Sequence, residues 1–223
     1  MNQLTIGDEE LADNPTARVP ICLLLDVSLS MQGDPIYQLN EGVKMFINEI
    51  INDDMTRFSA DITILTFGGH VSQVFEFGNI EEQEIPIFTA VSTTPMAEAV
   101  LQAVELLEDR KKTYRDNGVD YFQPWIVLMT DGGPTDDQYL IDEATNKTTD
   151  MIKNKKLVMF SIGIGNDADF DFLQEFGSPP AQLKGLKFKE FFQWLSQSVS
   201  TISDSMPGDK IELPPREGWD ALS

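Results

Sequence analysis

Three short segments of this chain carry side chains whose types and spacing could do chemistry together. Asp26-Val27-Ser28-Leu29-Ser30 ends one apolar run, Thr94 precedes an amphipathic segment, and Thr130-Asp131-Gly132-Gly133 ends a second apolar run. Asp26, Ser28, Ser30, Thr94 and Asp131 together offer two carboxylates and three hydroxyls, all of them oxygen. Hard oxygen donors suit Mg²⁺, Mn²⁺ or Ca²⁺ and disfavour zinc or copper. The alternation Asp-x-Ser-x-Ser lets a turning loop aim three side chains at one point, and no nearby Cys or His competes for a metal role. Two carboxylates balance a divalent charge, yet Mg²⁺ takes about six oxygens and keeps waters. If hydroxyls touch the ion and an aspartate acts through water, the ion stays electrophilic. It then favours one further anionic ligand, such as a Glu or Asp carboxylate supplied by a partner protein. Such a site binds and needs no bond-breaking.

Strands and helices must present these segments. Val19 to Leu25 is nearly all apolar and reads as a strand buried on both faces. Asp34-Pro35 reads as N-cap and first helical residue. Leu39, Val43, Phe46, Ile47 and Ile50 then share one helical face. Asp61 to Phe67 and Val71 to Phe77, joined by Gly68-Gly69-His70, read as an antiparallel hairpin. Ile85 to Phe88 reads as a short extended piece. Thr94-Pro95 opens a second helix, which the charged stretch to Asp116 ends. Trp125 to Met129 is a strand, Asp136 to Asn154 a helix, and Leu157 to Ile164 a strand. A short helix, a brief strand near Leu186 and a last amphipathic helix follow. The alternation predicts an α/β fold: a doubly wound, mainly parallel central sheet with one antiparallel edge strand and helices on both faces. Ligands of such sheets sit beyond the strands' carboxyl ends, where strand order reverses. The expected organisation is a polar lead-in over 1–18, one domain over 19–203, and a Pro-rich tail over 204–223.

Charge and composition narrow the function. With 223 residues, 41% of them hydrophobic, the chain can bury roughly 70% of its unfolded surface in one domain. Its formal charge of −21 speaks against nucleic acid and against an anionic membrane surface as partners. The single cysteine, Cys22, allows no internal disulfide and reads as a small buried hydrophobe. The first residues lack a basic start and an apolar core, and no apolar stretch approaches the ~20 residues that span a bilayer. A cytoplasmic location is the expectation.

Asp26-Val27-Ser28-Leu29-Ser30-Met31, Thr94-Pro95 and Thr130-Asp131-Gly132 resemble the metal-ion-dependent adhesion site of von Willebrand factor type A (VWA) domains, whose fold is Rossmann-like. The resemblance covers about residues 19 to 203. It implies that Ser28 and Ser30 ligate the metal directly and that Thr94 does so directly or through water. It implies that Asp26 acts mostly through water and that Asp131 alternates between the two. Position 29 is Leu where many relatives carry Gly, which bears on loop shape alone; Thr93 is the competing choice for Thr94. A closer resemblance is to bacterial TerY-like proteins of tellurite-resistance operons. It rests on Phe67-Gly68-Gly69-His70, on Gly163 to Asp169, on Phe191 to Ser200, and on Ile211 to Pro215 with Trp219. That resemblance implies a role in a stress-response or defence assembly beside kinase or phosphatase components.

The same residues admit other readings. Asp136, Asp137, Asp167, Asp169 and Asp171 could hold a second metal, but their positions suit helix N-termini better. His70 reads as a hairpin-turn residue, and Phe191, Phe192 and Trp194 read as core. Gly163-Ile164-Gly165 lacks the rest of a nucleotide loop. The tail is either a docking peptide or a packed terminus. The expected function is a non-catalytic, metal-dependent protein-interaction module. The alternatives are a Mg²⁺-dependent phosphotransfer or hydrolytic enzyme using Asp26, and a structural subunit whose metal braces its loops. A phosphatase wanting Asp-x-Asp meets Ser28 at the second position, which counts against the enzyme.

Overall fold

The computed structural model describes residue 14 and residues 16–222. Most of the expected lead-in, residues 1–13 and 15, lies outside the described residues. Arg18, at its end, already belongs to the folded unit: it is buried, and its backbone exchanges hydrogen bonds with Asp120 and Phe122.

Six strands form one sheet: β1 (Val19–Asp26), β2 (Ala60–Gly68), β3 (His70–Phe75), β4 (Trp125–Thr130), β5 (Val158–Ile164) and β6 (Ala181–Leu183). Their order across the sheet is β3-β2-β1-β4-β5-β6. Every pairing is parallel except that of β2 with β3, so the antiparallel strand lies at an edge, as the short Gly68-Gly69 link predicts. Among the described residues, six α-helices connect and cover the strands: α1 (Asp34–Asn52), α2 (Thr56–Ser59), α3 (Met96–Asp116), α4 (Gln138–Lys153), α5 (Phe170–Glu175) and α6 (Phe188–Ser203).

The unbroken apolar run of β1 is explained by burial on both faces. Ile21, Leu23 and Leu25 pack with α1 and α6, through residues such as Val43, Phe46, Phe192 and Leu195. Cys22 and Leu24 face the other way, toward α3, α4 and α5, through Val100, Val104, Ala144 and Leu173. Burial pushes the Cys22 thiol far above its ordinary pKa, so it behaves as a hydrophobe. Phe191, Phe192 and Trp194 are core residues, as their helical spacing indicates.

The differences from the sequence reading lie at boundaries. Gly33, at φ +94°, is the N-cap of α1, and Asp34 and Pro35 are its first residues. The second long helix starts at Met96, with Pro95 at the cap position, so Thr94 stands just outside it. Residues 85–88 form no strand; Phe88 is instead held by Asn40, whose side chain bonds both its N–H and its carbonyl. The brief strand lies at Ala181–Leu183, ahead of Leu186.

The tail folds back on the domain. Trp219 is 1% exposed and packs on Phe191 and Trp194, with ring centroids 4.9 and 5.2 Å away. Its carbonyl accepts from Lys184 N–H at 2.7 Å, and Ala221 N–H donates to Gln182 at 2.8 Å. Trp194 Nε1 donates to the Pro214 carbonyl at 2.8 Å. Trp219→Ala should therefore lower unfolding free energy by about 3–5 kcal/mol in urea titration, as truncation of a fully packed aromatic does. A loss below about 0.5 kcal/mol would mark the tail as peripheral.

Candidate metal centre

β1 and β4 are neighbours, yet the chain leaves β1 for one side of the sheet and enters β4 on the other. Their carboxyl ends are thus the point where strand order reverses, and Asp26 and Thr130 are the last residues of the two strands. Asp26 is fully buried. Its Oδ1 accepts from Ser28 N–H at 2.7 Å and its Oδ2 from the Thr130 hydroxyl at 2.5 Å. Thr130 Oγ1 in turn accepts from Gly132 N–H at 3.2 Å, which turns the second loop. Ser28 Oγ lies 2.9 Å from Ser30 Oγ, and the Ser30 hydroxyl donates to Asp131 Oδ1 at 2.7 Å. Asp26 therefore braces both loops from below, while the Ser28, Ser30 and Asp131 oxygens form a continuous row above.

Exposure rises along this set. Ser28 is 2% exposed, Asp131 is partly buried and Ser30 is exposed. Burial raises the pKa of Asp26; its bonds to Ser28 and Thr130 oppose the rise, and the nearby Asp131 charge adds to it. Asp131 is also raised, first by burial, against the Ser30 hydrogen bond and with Asp167 contributing. The two carboxyls thus lack a compensating cation among the described protein groups around them.

The third loop is stitched to the first two. Leu29 N–H donates to Ser92, Val91 N–H to Val27 at 2.7 Å, and Gly69 N–H to Thr93 at 2.7 Å. A Cβ at Gly68 would stand 2.8 Å from the Val27 carbonyl and 2.9 Å from that of Val91, so only glycine lets these backbones meet. Thr94 is 8% exposed and Thr93 is exposed, which favours Thr94 as the inward residue of the pair. Thr94 N–H donates to Thr135 Oγ1 and its carbonyl accepts from Thr135 N–H, at 3.1 and 3.0 Å. Among the described residues no hydrogen bond joins the Thr94 hydroxyl to the other four side chains.

Thr130 and Thr135 add to the site without a signal of their own in the sequence, while Asp136 caps a helix as its type suggests, though not the helix it precedes. Asp136 caps α3, accepting from Ala97 and Glu98 N–H at 3.0 Å each, across 39 and 38 residues of chain. Asp169 caps its own helix through Phe172 N–H. Among the described residues no group of three or more His, Cys, Asp or Glu is placed to hold a metal, which leaves the proposed second site without a cluster. His70 is an exposed residue opening β3.

The oxygen row fits a small divalent cation. Adjacent ligands of an octahedral ion held at about 2.0–2.1 Å lie about 2.9 Å apart. The Ser28–Ser30 and Ser30–Asp131 separations are 2.9 and 2.7 Å.

This combination, a doubly wound α/β domain with an all-oxygen cluster at its switch point, has close parallels. The profile of the von Willebrand factor type A domain family matches residues 21–200, and the chain belongs to that family. Among curated proteins, none matches the chain. A von Willebrand factor type A protein from Catenulispora acidiphila superposes with a TM-score of 0.65 at 14% identity, over 83% of this chain and 43% of that one. The manganese-loaded TRAP protein of Plasmodium vivax gives 0.55 at 22%, over 77% and 70%. Proximal thread matrix protein 1 from the mussel byssus, with a zinc-occupied MIDAS motif, gives 0.53 at 16%, over 82% and 48%. This chain thus spans less than half of the Catenulispora and mussel proteins. Zinc in the mussel protein shows that such a motif does not bar that metal there.

Thr130→Val keeps shape but removes the donor to Asp26. We expect a loss of about 1–3 kcal/mol in urea unfolding, with Thr130→Ser close to wild type. Equal stability of the Val variant would contradict the bracing role.

Proposed function

We propose that this chain is a non-catalytic module that captures a partner protein through a divalent cation held by Ser28, Ser30, Thr94 and Asp131, with Asp26 behind them. The observation that carries this reading is the oxygen row that rises from the buried Asp26 to the exposed Ser30 at the strand-order switch. When bound, the cation supplies a positive centre able to accept a carboxylate from a partner's Glu or Asp. Ser30 and Asp131 define the open side of the site, and Asp26 and Thr130 define its closed floor. Leu29, 58% exposed, stands in the same loop and offers apolar contact of the kind a protein partner covers. The manganese and zinc in the TRAP and mussel relatives support a divalent ion. Mg²⁺ is the favoured occupant here, with Mn²⁺ or Ca²⁺ as alternatives.

The phosphotransfer reading is disfavoured by the burial of Asp26, whose two carboxylate oxygens are each engaged by a protein donor. The bracing reading is disfavoured by the exposure of Ser30, which leaves one side of the row accessible. Placement beside kinase or phosphatase components in a stress or defence assembly rests on the TerY-like sequence pieces alone. Some of these pieces have local structural work: Gly68 and Gly69 permit the loop approach, and Trp219 seals the core.

Mg²⁺ at about a hundred times its dissociation constant should stabilise the wild type by about 2.7 kcal/mol. Differential scanning calorimetry with Mg²⁺ or EDTA should show this gain, and Ser30→Ala and Asp131→Ala should lose it. Partner capture from native lysate should disappear in EDTA and in both variants. A melting temperature indifferent to every divalent ion, or capture unchanged in EDTA, would sink the proposal.

A further inference from the structure

A second concave site lies at the opposite end of the sheet. Its wall includes Trp125 and Val158, the first residues of β4 and β5, whereas the oxygen cluster follows the last residues of β1 and β4. About 20 Å of strand separates the two ends. The cavity measures about 880 Å³, within the range of small-molecule pockets.

Its charge is opposite to that of the chain. Lys111, Arg115, Lys155, Lys156 and Lys210 line it, against two carboxylates, Glu108 and Asp209. A protein of net charge −21 has therefore gathered a local excess of three positive charges into one hollow. The cations come from three separate places: the end of α3, the turn after α4, and the tail. Both carboxylates are already engaged. Glu108 pairs with Lys111 at 2.5 Å, and Asp209 accepts from Met206 N–H at 3.0 Å.

Lys111 is 7% exposed and compensated by Glu108, so the remaining cations are the ones without a paired carboxylate in the lining. One feature is hard to reconcile with simple surface decoration. Lys155 has φ +54°, the left-handed position that closes α4, with its own N–H bonded to Ile152 and that of Lys156 to Met151. Glycine is the usual residue there, because a side chain is strained in that conformation. Cations after a helix end do complement its dipole, but that does not explain Lys210, which comes from the tail.

The remaining lining is mainly apolar, with Gln123 among it. Tyr121 and Phe122 lead into Trp125, and Ile211 and Leu213 come from the tail. Arg115 Nη1 donates to the Tyr121 hydroxyl at 3.2 Å, which sets a guanidinium beside an aromatic ring. Tyr121 in turn lies against Tyr114, with centroids 5.4 Å apart. Cations suit phosphate oxygens, and aromatic walls suit a planar ring. A long polyanion would meet the acidic exterior, whereas a small ligand lies inside the hollow. We infer that this cavity binds a nucleoside phosphate, its phosphates among Lys155, Lys156, Lys210 and Arg115 and its base against the half-buried Tyr121 ring. The site is independent of the metal reading.

The experiment is isothermal titration of the full chain with ATP in EDTA, so that no divalent ion bridges ATP to the oxygen cluster. Adenosine and tripolyphosphate serve as the comparison probes. ATP should bind saturably below about 1 mM and more tightly than either probe. Lys155→Gly relieves the left-handed residue, so it should melt no lower than wild type while weakening ATP about tenfold. Lys210→Gln, at an exposed position, should weaken ATP in the same direction, and Ser30→Ala should leave it unchanged. Absence of ATP binding at about 1 mM would overturn the inference. So would adenosine or tripolyphosphate binding as tightly as ATP, or wild-type affinity in both lysine variants.

Discussion

The structure turns on a single buried carboxylate. Asp26 closes the central strand at full burial, where an ionised group without partners would cost several kcal/mol. Its two oxygens are met by one donor from its own loop, Ser28 N–H, and one from the neighbouring strand, the Thr130 hydroxyl. The Thr130 bond ties the end of β4 to the end of β1, and the Ser30–Asp131 bond joins the two loops above it. The charge that is costly to bury is therefore the same group that fixes the geometry above it. Burial raises the pKa of both Asp26 and Asp131, and the hydrogen bonds from Ser28, Thr130 and Ser30 oppose that rise.

Around that anchor, the third loop is secured almost entirely by backbone. Val27, Leu29 and Gly69 bond residues 91–93, and Thr135 holds Thr94 from the far side. Asp136 then caps α3, so the helix that follows Thr94 is oriented by the loop that carries Asp131. A shift of either loop would be felt by the other through a charged cap. Such coupling suits a binding site, because it reduces the ordering left to be done when a partner arrives. Leu29 and Ser30 are exposed on their side-chain faces, the Ser30 hydroxyl bonding Ser28 and Asp131.

Much of this was legible from residue type and spacing. The apolar runs of β1, β4 and β5 announced strands buried on both faces, and the two-glycine link announced the antiparallel edge. Asp26, Ser28, Ser30 and Asp131 converge because Asp26 ends β1, the serines lie in the turn after it, and Asp131 directly follows β4, relations visible along the chain. What stayed hidden depends on partners far away in sequence. Thr130 resembles any strand residue until Asp26 is seen beside it. Asp136 reads as a cap for the helix it precedes, yet it caps one that begins some forty residues earlier. β6 has three residues and no periodicity of its own; pairing with β5 defines it, so its placement near Leu186 was late. The tail's Pro and charge content left a docking peptide and a packed terminus both open, and the packing of Trp219 on Phe191 and Trp194 shows the second.

The return of the tail changes what the sheet can do in company. Leu183 and Asp220 form an antiparallel bridge, so the β6 margin is guarded by the chain itself. The β3 margin has no neighbouring strand among the described residues. A filament built by strand addition needs two open margins on every subunit, whereas a sheet with one can accept a single added strand and then stop. Among the described residues, the return of the tail therefore leaves the β3 margin as the one where a strand could be added.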